Sequence, residues 1–140
     1  MASPSPLDGA HPLLVSQCPL ILDEMARRKH PMKMTEGRRS LKRQQDLHAQ
    51  GRTKPGDIVT DADGVSKRSK HQEQGDGFHH AIDFVFVTGK RGVTWEGPWD
   101  VFGEVVRAHG LKWGGDFRRR VNGKPVPKPD RPHVEVPAGV

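Results

Sequence analysis

The sequence predicts a loop-rich α+β domain in which helices pack against a small antiparallel sheet. Three observations carry this reading. Sixteen glycines and twelve prolines in 140 residues demand frequent turns rather than a helical bundle. Two stretches, 13–26 and 99–108, repeat apolar residues at helical spacing. Between them Ile82 and Phe84-Val85-Phe86-Val87 form an apolar run of strand length. A chain of this length is one domain, so 1–140 is read as a single unit with a modest core.

Residues 1–10 read as a flexible lead. Leu13, Leu14, Val15, Cys18, Leu20, Ile21, Leu22, Met25 and Ala26 then give a helical face. Pro19 removes one backbone hydrogen bond from it, which predicts a kink, or a turn followed by a helix over 19–29. Arg27, Arg28 and Lys29 suit the end of that helix, where cations oppose its dipole. Met32-Lys33-Met34-Thr35 alternates as a half-buried strand does, and Glu36-Gly37-Arg38-Arg39 follows as a turn. Ser40 fits the N-cap of a helix over 41–49, with Leu41 and Leu47 inward and Gly51 at its end. Arg52 to Lys70 is a long polar segment in which Ile58-Val59 is the strand candidate; loops this long are functional or disordered.

The run from Ala81 to Val87 suits a strand buried on both faces. Thr88-Gly89-Lys90-Arg91-Gly92 reads as a hairpin turn and Val93-Thr94-Trp95 as the returning strand. Pro98 suits the first turn of a helix whose inner face is Trp99, Val101, Phe102, Val105, Val106 and Ala108, stopped by Gly110. Leu111 to Phe117 leads into another loop, 125–132 reads as an extended proline-rich segment, and His133-Val134-Glu135-Val136 as a final alternating strand. The sequence contains no internal repeat.

Lys and Arg outnumber Asp and Glu by 23 to 17, a net charge of +6. Such a balance favours anionic partners and also serves plain solubility. A nucleic-acid binder would concentrate this charge on a recognition helix or interleave it with aromatics. The basic residues are instead scattered, so no nucleic acid is expected. One cysteine, Cys18, excludes an intramolecular disulfide and a cysteine-rich zinc site. No basic, then apolar, leader opens the sequence, and no stretch approaches the ~18 apolar residues of a membrane span. The expectation is a monomer without membrane insertion, made and folded in the cytoplasm.

Ser69 to Phe84 sets His71, His79, His80, Asp76 and Asp83 between a basic loop and the apolar run. A second cluster is Asp130-Arg131-Pro132-His133-Val134-Glu135. Catalytic zinc takes three ligands from His, Asp or Glu and keeps a position open for water. The metal lowers the pKa of that water, and a nearby carboxylate takes its proton. His71 and Asp83 flank a glycine-rich loop; Asp130 and His133 flank a proline. Eight histidines also produce accidental pairs. The residues alone leave a second reading open: His71, His79 and His80 as exposed loop residues, and His133 as an ordinary strand residue.

Several stretches, in order, resemble the zinc peptidases of the D-Ala-D-Ala carboxypeptidase and L-alanyl-D-glutamate endopeptidase family. Glu36-Gly37-Arg38-Arg39-Ser40, Arg43-Gln44-Gln45 and Leu47-His48-Ala49-Gln50-Gly51-Arg52-Thr53-Lys54-Pro55-Gly56 are similar to "E-G-x-R-S…R-Q-x-x-L-x-A-Q-G-R-T-x-P-G". Ser69-Lys70-His71 resembles "S-x-H", and Ala81-Ile82-Asp83 resembles "A-x-D". Gly110-Leu111-Lys112-Trp113-Gly114-Gly115-Asp116-Phe117 resembles "G-L-x-W-G-G-D-F/W", and Asp130 to Glu135 resembles "D-x-P-H-x-E". The resemblance spans about residues 7–136 and is strongest to single-domain bacteriophage endolysins.

The resemblance implies the hedgehog/DD-peptidase fold and a zinc ion on His71, Asp83 and His133. It implies Asp130 as general base and later acid, and Arg39, rather than Arg38, aimed at the scissile carbonyl. One departure stands out. The family form places its first His seven residues before the Asp, and here the separation from His71 to Asp83 is twelve. If the extra residues bulge out, His71 reaches the metal; otherwise His80 is the alternative, although an offset of three places it on the opposite strand face. Asp116 either orients a ligand histidine or caps its own glycine-rich turn, and Glu135 supports the fold. The expected function is a zinc-dependent peptidoglycan peptidase cutting a stem-peptide amide, at L-alanyl-D-glutamate or a D-Ala bond. It would have no separate wall-binding domain and would wait in the host cytoplasm until released to the cell wall. The competing expectation is a non-catalytic basic module on the same fold, binding wall polymer or nucleic acid.

Overall fold

The computed structural model describes residues 5–89 and 92–140. In chain order it contains α1 (Pro12–Arg27), β1 (Met32–Glu36), α2 (Leu41–Ala49), β2 (Ala81–Thr88), β3 (Gly92–Thr94), α3 (Trp99–Ala108), β4 (Lys112–Trp113), β5 (Arg118–Val121), β6 (Lys124–Pro127) and β7 (His133–Glu135). A 3-10 turn, Gly114–Asp116, follows β4. The main sheet is antiparallel and centred on β2, which pairs with β1, β3 and β7; β4 extends it beyond β7.

Residues two apart on a strand share a face, so β2 divides its side chains. Ile82, Phe84 and Phe86 turn to the core with Val134, Leu14, Cys18, Ile21 and Met25 of α1, and Phe102, Val105 and Val106 of α3. The Phe84 and Phe102 rings lie 5.1 Å apart. Each large apolar side chain removed from water here contributes about 1.5–3 kcal/mol. The opposite face of β2 carries Asp83, and α1 and α3 leave that face free for chemistry.

Several expectations are corrected. Residues 5–10 are not a free lead: they form a turn, Ala10 is buried, and Ala10 bridges His79. Residues 1–4 lie outside the described residues. α1 runs unbroken through Pro19. Both Pro19 and Val15, whose carbonyl loses its helical partner, are exposed, so that carbonyl is open to solvent rather than buried unpaired. On α2 the buried residue is Gln44, while Leu41 is exposed and Leu47 half-buried. Ser40 caps that helix, its Oγ accepting from Arg43 N–H at 3.1 Å. Ile58 and Val59 form no strand and stay exposed, because turns flank them and no strand pairs with them among the described residues. Ala108 is exposed too. In the hairpin between β2 and β3, Lys90 and Arg91 lie outside the described residues.

The segment 118–127 is a second, two-stranded sheet. Its turn is Asn122-Gly123, with φ of 51° and 76°. Two consecutive left-handed residues of this type match the right-handed twist of a tight hairpin. The hairpin leaves the consecutive Arg118, Arg119 and Arg120 exposed to solvent. No helix among the described residues is long and apolar enough to cross a membrane.

Candidate metal centre

Sheet register builds the site. Asp83 on β2 is the cross-strand partner of His133 on β7, and on its other side the partner of Glu36. A bulge between Met34 and Glu36 brings Glu36 into this row. Directly opposed residues project from the same face, and Glu135, two positions beyond His133, shares it.

His71 reaches the row from a loop. The residues inserted between it and Asp83 close on themselves: His80 N–H donates to the Lys70 carbonyl at 2.8 Å, and Gln74 N–H to the Phe78 carbonyl at 3.0 Å. The neck is therefore closed and the insertion projects outward, leaving His71 in place. The His71 carbonyl accepts from Arg39 N–H at 2.7 Å. Its Nδ1 lies 2.9 Å from the Gly37 carbonyl. A carbonyl only accepts, so Nδ1 holds the proton and Nε2 offers a lone pair. Gly37 is confined to glycine because a Cβ there would strike the Pro6 carbonyl.

His71 Nε2 stands 3.3 Å from Asp83 Oδ1, and His133 Nδ1 stands 3.6 Å from the same oxygen. Donor atoms of all three residues lie within 4.8 Å of one another. Ligands about 2.0–2.1 Å from a tetrahedral zinc are about 3.3–3.4 Å apart, close to the 3.3 and 3.6 Å that separate Asp83 Oδ1 from the two imidazole nitrogens. His71 Nε2 and Asp83 Oδ1 are both buried without an aligned hydrogen bond. Orphaned buried polar atoms are costly, and here they converge on one point. Two imidazoles and a carboxylate also form a donor set suited to zinc. The residues fit the metal.

The electrostatics agree. Burial alone would raise the Asp83 carboxyl, but the His133 and His71 imidazoles outweigh it and hold the group well below the usual carboxylate range. Burial would lower His133, but Asp83 and Glu135 raise it to about 9 in the absence of a metal. His133 Nε2 contacts Glu135 Oε1 at 2.8 Å, which directs Nδ1 toward Asp83. The Glu135 carboxyl is itself held low: His133 overcomes the opposing effect of burial.

A cleft of about 330 Å³ opens over this row, walled by Arg39, Val59, Ser69 and Phe117 among others. Asp130 stands at its edge, Oδ2 3.8 Å from His133 Nδ1. Withdrawal from water raises the Asp130 carboxyl, and Asp83 adds to this against the pull of His133, His71 and Arg39. Its side chain is still 57% exposed, so a substrate can reach it. Arg39 is nearly buried. Its Nε donates to Glu36 Oε1 and its Nη1 to Gln44 Oε1, each at 2.9 Å. These bonds leave Nη2 uncommitted to either partner.

The fold thus brings His71, Asp83, His133, Asp130 and Arg39 to one cleft. It does not bring the two second-choice residues. His80 contacts Asp76 at 2.6 Å and groups with His11 in a separate cluster, as its place on the outward loop requires. Asp116 is held by Arg107 at 2.6 and 2.9 Å and does not line the cleft, so it orients no histidine there. His79 is not an exposed loop residue: it is fully buried between the Asp8 and Ala81 carbonyls. Arg38 lines a different groove, beside Gly9.

Two contributors were missed. Glu135, read as support for the fold, orients His133; its two-residue offset on a strand was the available signal. Gln44 ties Arg39 to the loop, its Nε2 donating to the Ala62 carbonyl at 2.7 Å. The polar side chain of Gln44 gave no indication that it would be buried.

No family model matches the chain. The peptidoglycan L-alanyl-D-glutamate endopeptidase CwlK of Bacillus subtilis (strain 168) is 30% identical over 146 residues, covering 95% of this chain and 76% of that protein. The crystal structure of the L-Ala D-Glu endopeptidase ChiX of Serratia marcescens matches with a TM-score of 0.53 and 25% identity. That match covers 94% of this chain and 83% of the other.

Proposed function

This chain belongs to the peptidoglycan L-alanyl-D-glutamate endopeptidase family, and on that premise we propose that it is a zinc-dependent peptidase cutting the amide between L-alanine and D-glutamate in the stem peptide. The observation that carries the metal is that two buried, unpartnered ligand atoms, His71 Nε2 and Asp83 Oδ1, converge with His133 Nδ1 around one point. When bound, zinc supplies Lewis-acid polarisation and makes water a nucleophile near neutral pH.

The protein's own groups do the rest. Gly37 and Glu135 fix the histidine tautomers, so both lone pairs face the same point. Asp130 accepts the proton of the attacking water as the carbonyl carbon becomes tetrahedral. It then returns that proton to the leaving amine nitrogen as the C–N bond breaks, which balances the hydrolysis. Arg39, braced by Glu36 and Gln44, directs positive charge at the oxygen on which negative charge develops. The exposed arginines of β5 favour accumulation on anionic wall polymers, an attraction that salt screens. The motif resemblance to phage endolysins extends the reading to a lysis enzyme held in the host cytoplasm until release to the wall.

Incubation with purified peptidoglycan, followed by mass spectrometry of the new termini, tests this. The expected products carry new C-terminal L-alanine and N-terminal D-glutamate, disappear with a chelator and return with zinc. New termini only at D-alanine would replace the endopeptidase by a carboxypeptidase. Wall binding without any new terminus would favour the non-catalytic module.

A further inference from the structure

Asp130, which lines the cleft, also lines a groove of about 240 Å³ together with Trp95, Trp99, Pro129, Arg131 and Pro132. Trp95 is 57% exposed, a large apolar surface to leave in water. Resting on the L-alanyl–D-glutamate reading above, we infer that this groove is a saccharide subsite that holds the muramyl sugar next to the scissile bond.

The chemistry of the substrate calls for such a site. In peptidoglycan the stem's L-alanine is amide-linked to the lactyl group of a muramyl sugar. A protein that cuts on the carboxyl side of this alanine has the lactyl group one residue from the attacked carbonyl. One residue spans at most ~3.6 Å. The sugar must then lie just past the edge of the cleft, and Asp130 lines both the cleft and the groove.

The groove has the matching surface. A pyranose presents a face of C–H groups and a rim of hydroxyls. Indole and proline rings offer flat apolar faces, and Arg131 and Asp130 supply polar groups at the edge. The walls are also set in advance. Trp99 Nε1 donates to the Trp95 carbonyl at 2.7 Å, and the Trp99 ring packs 4.6 Å from Phe86. The opposite wall is held at three points: Asp130 N–H to the Gly114 carbonyl at 2.8 Å, Trp113 Nε1 to the Arg131 carbonyl at 2.8 Å, and Phe84 N–H to the Pro132 carbonyl at 2.9 Å. Walls fixed before binding lose little freedom when a ligand arrives.

Two soluble substrates test the subsite: N-acetylmuramyl-L-alanyl-D-glutamyl-lysine and the same tripeptide carrying only an N-acetyl group. The parent protein is expected to favour the sugar-bearing substrate by roughly threefold to tenfold in kcat/KM, the range of one well-stacked aromatic ring. In Trp95→Ala this ratio falls toward one, and in Trp95→Phe much of it returns. Equal hydrolysis of both substrates by the parent, or an unchanged ratio in a folded Trp95→Ala protein, would overturn the subsite. Hydrolysis of neither substrate by the parent would sink the peptidase reading itself, and the subsite with it.

Discussion

His133 donates from Nε2 to Glu135 Oε1 at 2.8 Å, while Nδ1 of the same ring faces Asp83 Oδ1 at 3.6 Å. One hydrogen bond thereby selects which nitrogen is free to bind a metal. The carboxylate also makes the ring a stronger donor. Glu135→Gln keeps an acceptor and loses the charge, so zinc affinity should fall by about tenfold; Glu135→Ala should approach a loss of about 100-fold. Competition with a chromophoric chelator measures this. An unchanged affinity in Glu135→Ala would remove the orienting role.

The closed neck between Lys70 and His80 favours His71 over His80 as the ligand. His71→Ala should purify without stoichiometric zinc, and His80→Ala should retain it, both read by metal analysis of folded protein. Normal zinc in the first and loss in the second would reverse the ligand assignment.

Asp130 and Gly114 form a coupled pair, because the Asp130 N–H donates to the Gly114 carbonyl and the turn packs tightly over the glycine. A Cβ at Gly114 would strike the Asp130 carbonyl oxygen and lie 2.8 Å from His133 Cβ. Asp130→Asn should keep zinc and lose about 10²–10⁴ in turnover, the usual scale of general acid–base catalysis. Gly114→Ala should lose turnover by displacing the same turn, with about 1–3 kcal/mol of stability lost to overpacking. Lysis of purified walls by Asp130→Asn at the parental rate would end the base assignment; a Gly114→Ala protein of parental stability and turnover would end the coupling.

Cys18 is fully buried on the inner face of α1, and burial pushes its thiol up to about 12. The thiolate is the reactive form. The native protein should resist iodoacetamide at pH 8, and the urea-unfolded protein should react readily. Stoichiometric labelling of the native protein, read by intact mass, would show that α1 opens or that the packing is wrong.

Most of the secondary structure was legible because it follows short-range pattern. Ile82 to Val87 declared the central strand, Ser40 the start of α2, and Trp99 to Val106 the apolar face of α3. Errors arose where a local rule met a wider context. Pro19 broke no helix because its solvent-facing position leaves the freed carbonyl open to solvent rather than buried unpaired. Leu41 and Gln44 exchanged places because Arg39 and the Ala62 carbonyl give Gln44 partners from distant parts of the chain. Asn122-Gly123 was a legible hairpin signal inside the stretch after Phe117 that reads only as loop.

The sequence by itself determined the chemical parts of the candidate site, since the proposed ligands, base and cation follow from side-chain identity and from motifs in a recognisable order. Only the tertiary structure decided which parts meet. A separation of twelve residues between His71 and Asp83 is compatible with either histidine until the loop's ends are seen to hydrogen-bond. Asp83 and His133 are fifty residues apart and become neighbours through antiparallel register alone. Register is set by which faces bury Ile82, Phe84 and Val134, and a slip of one residue would turn Asp83 into the core.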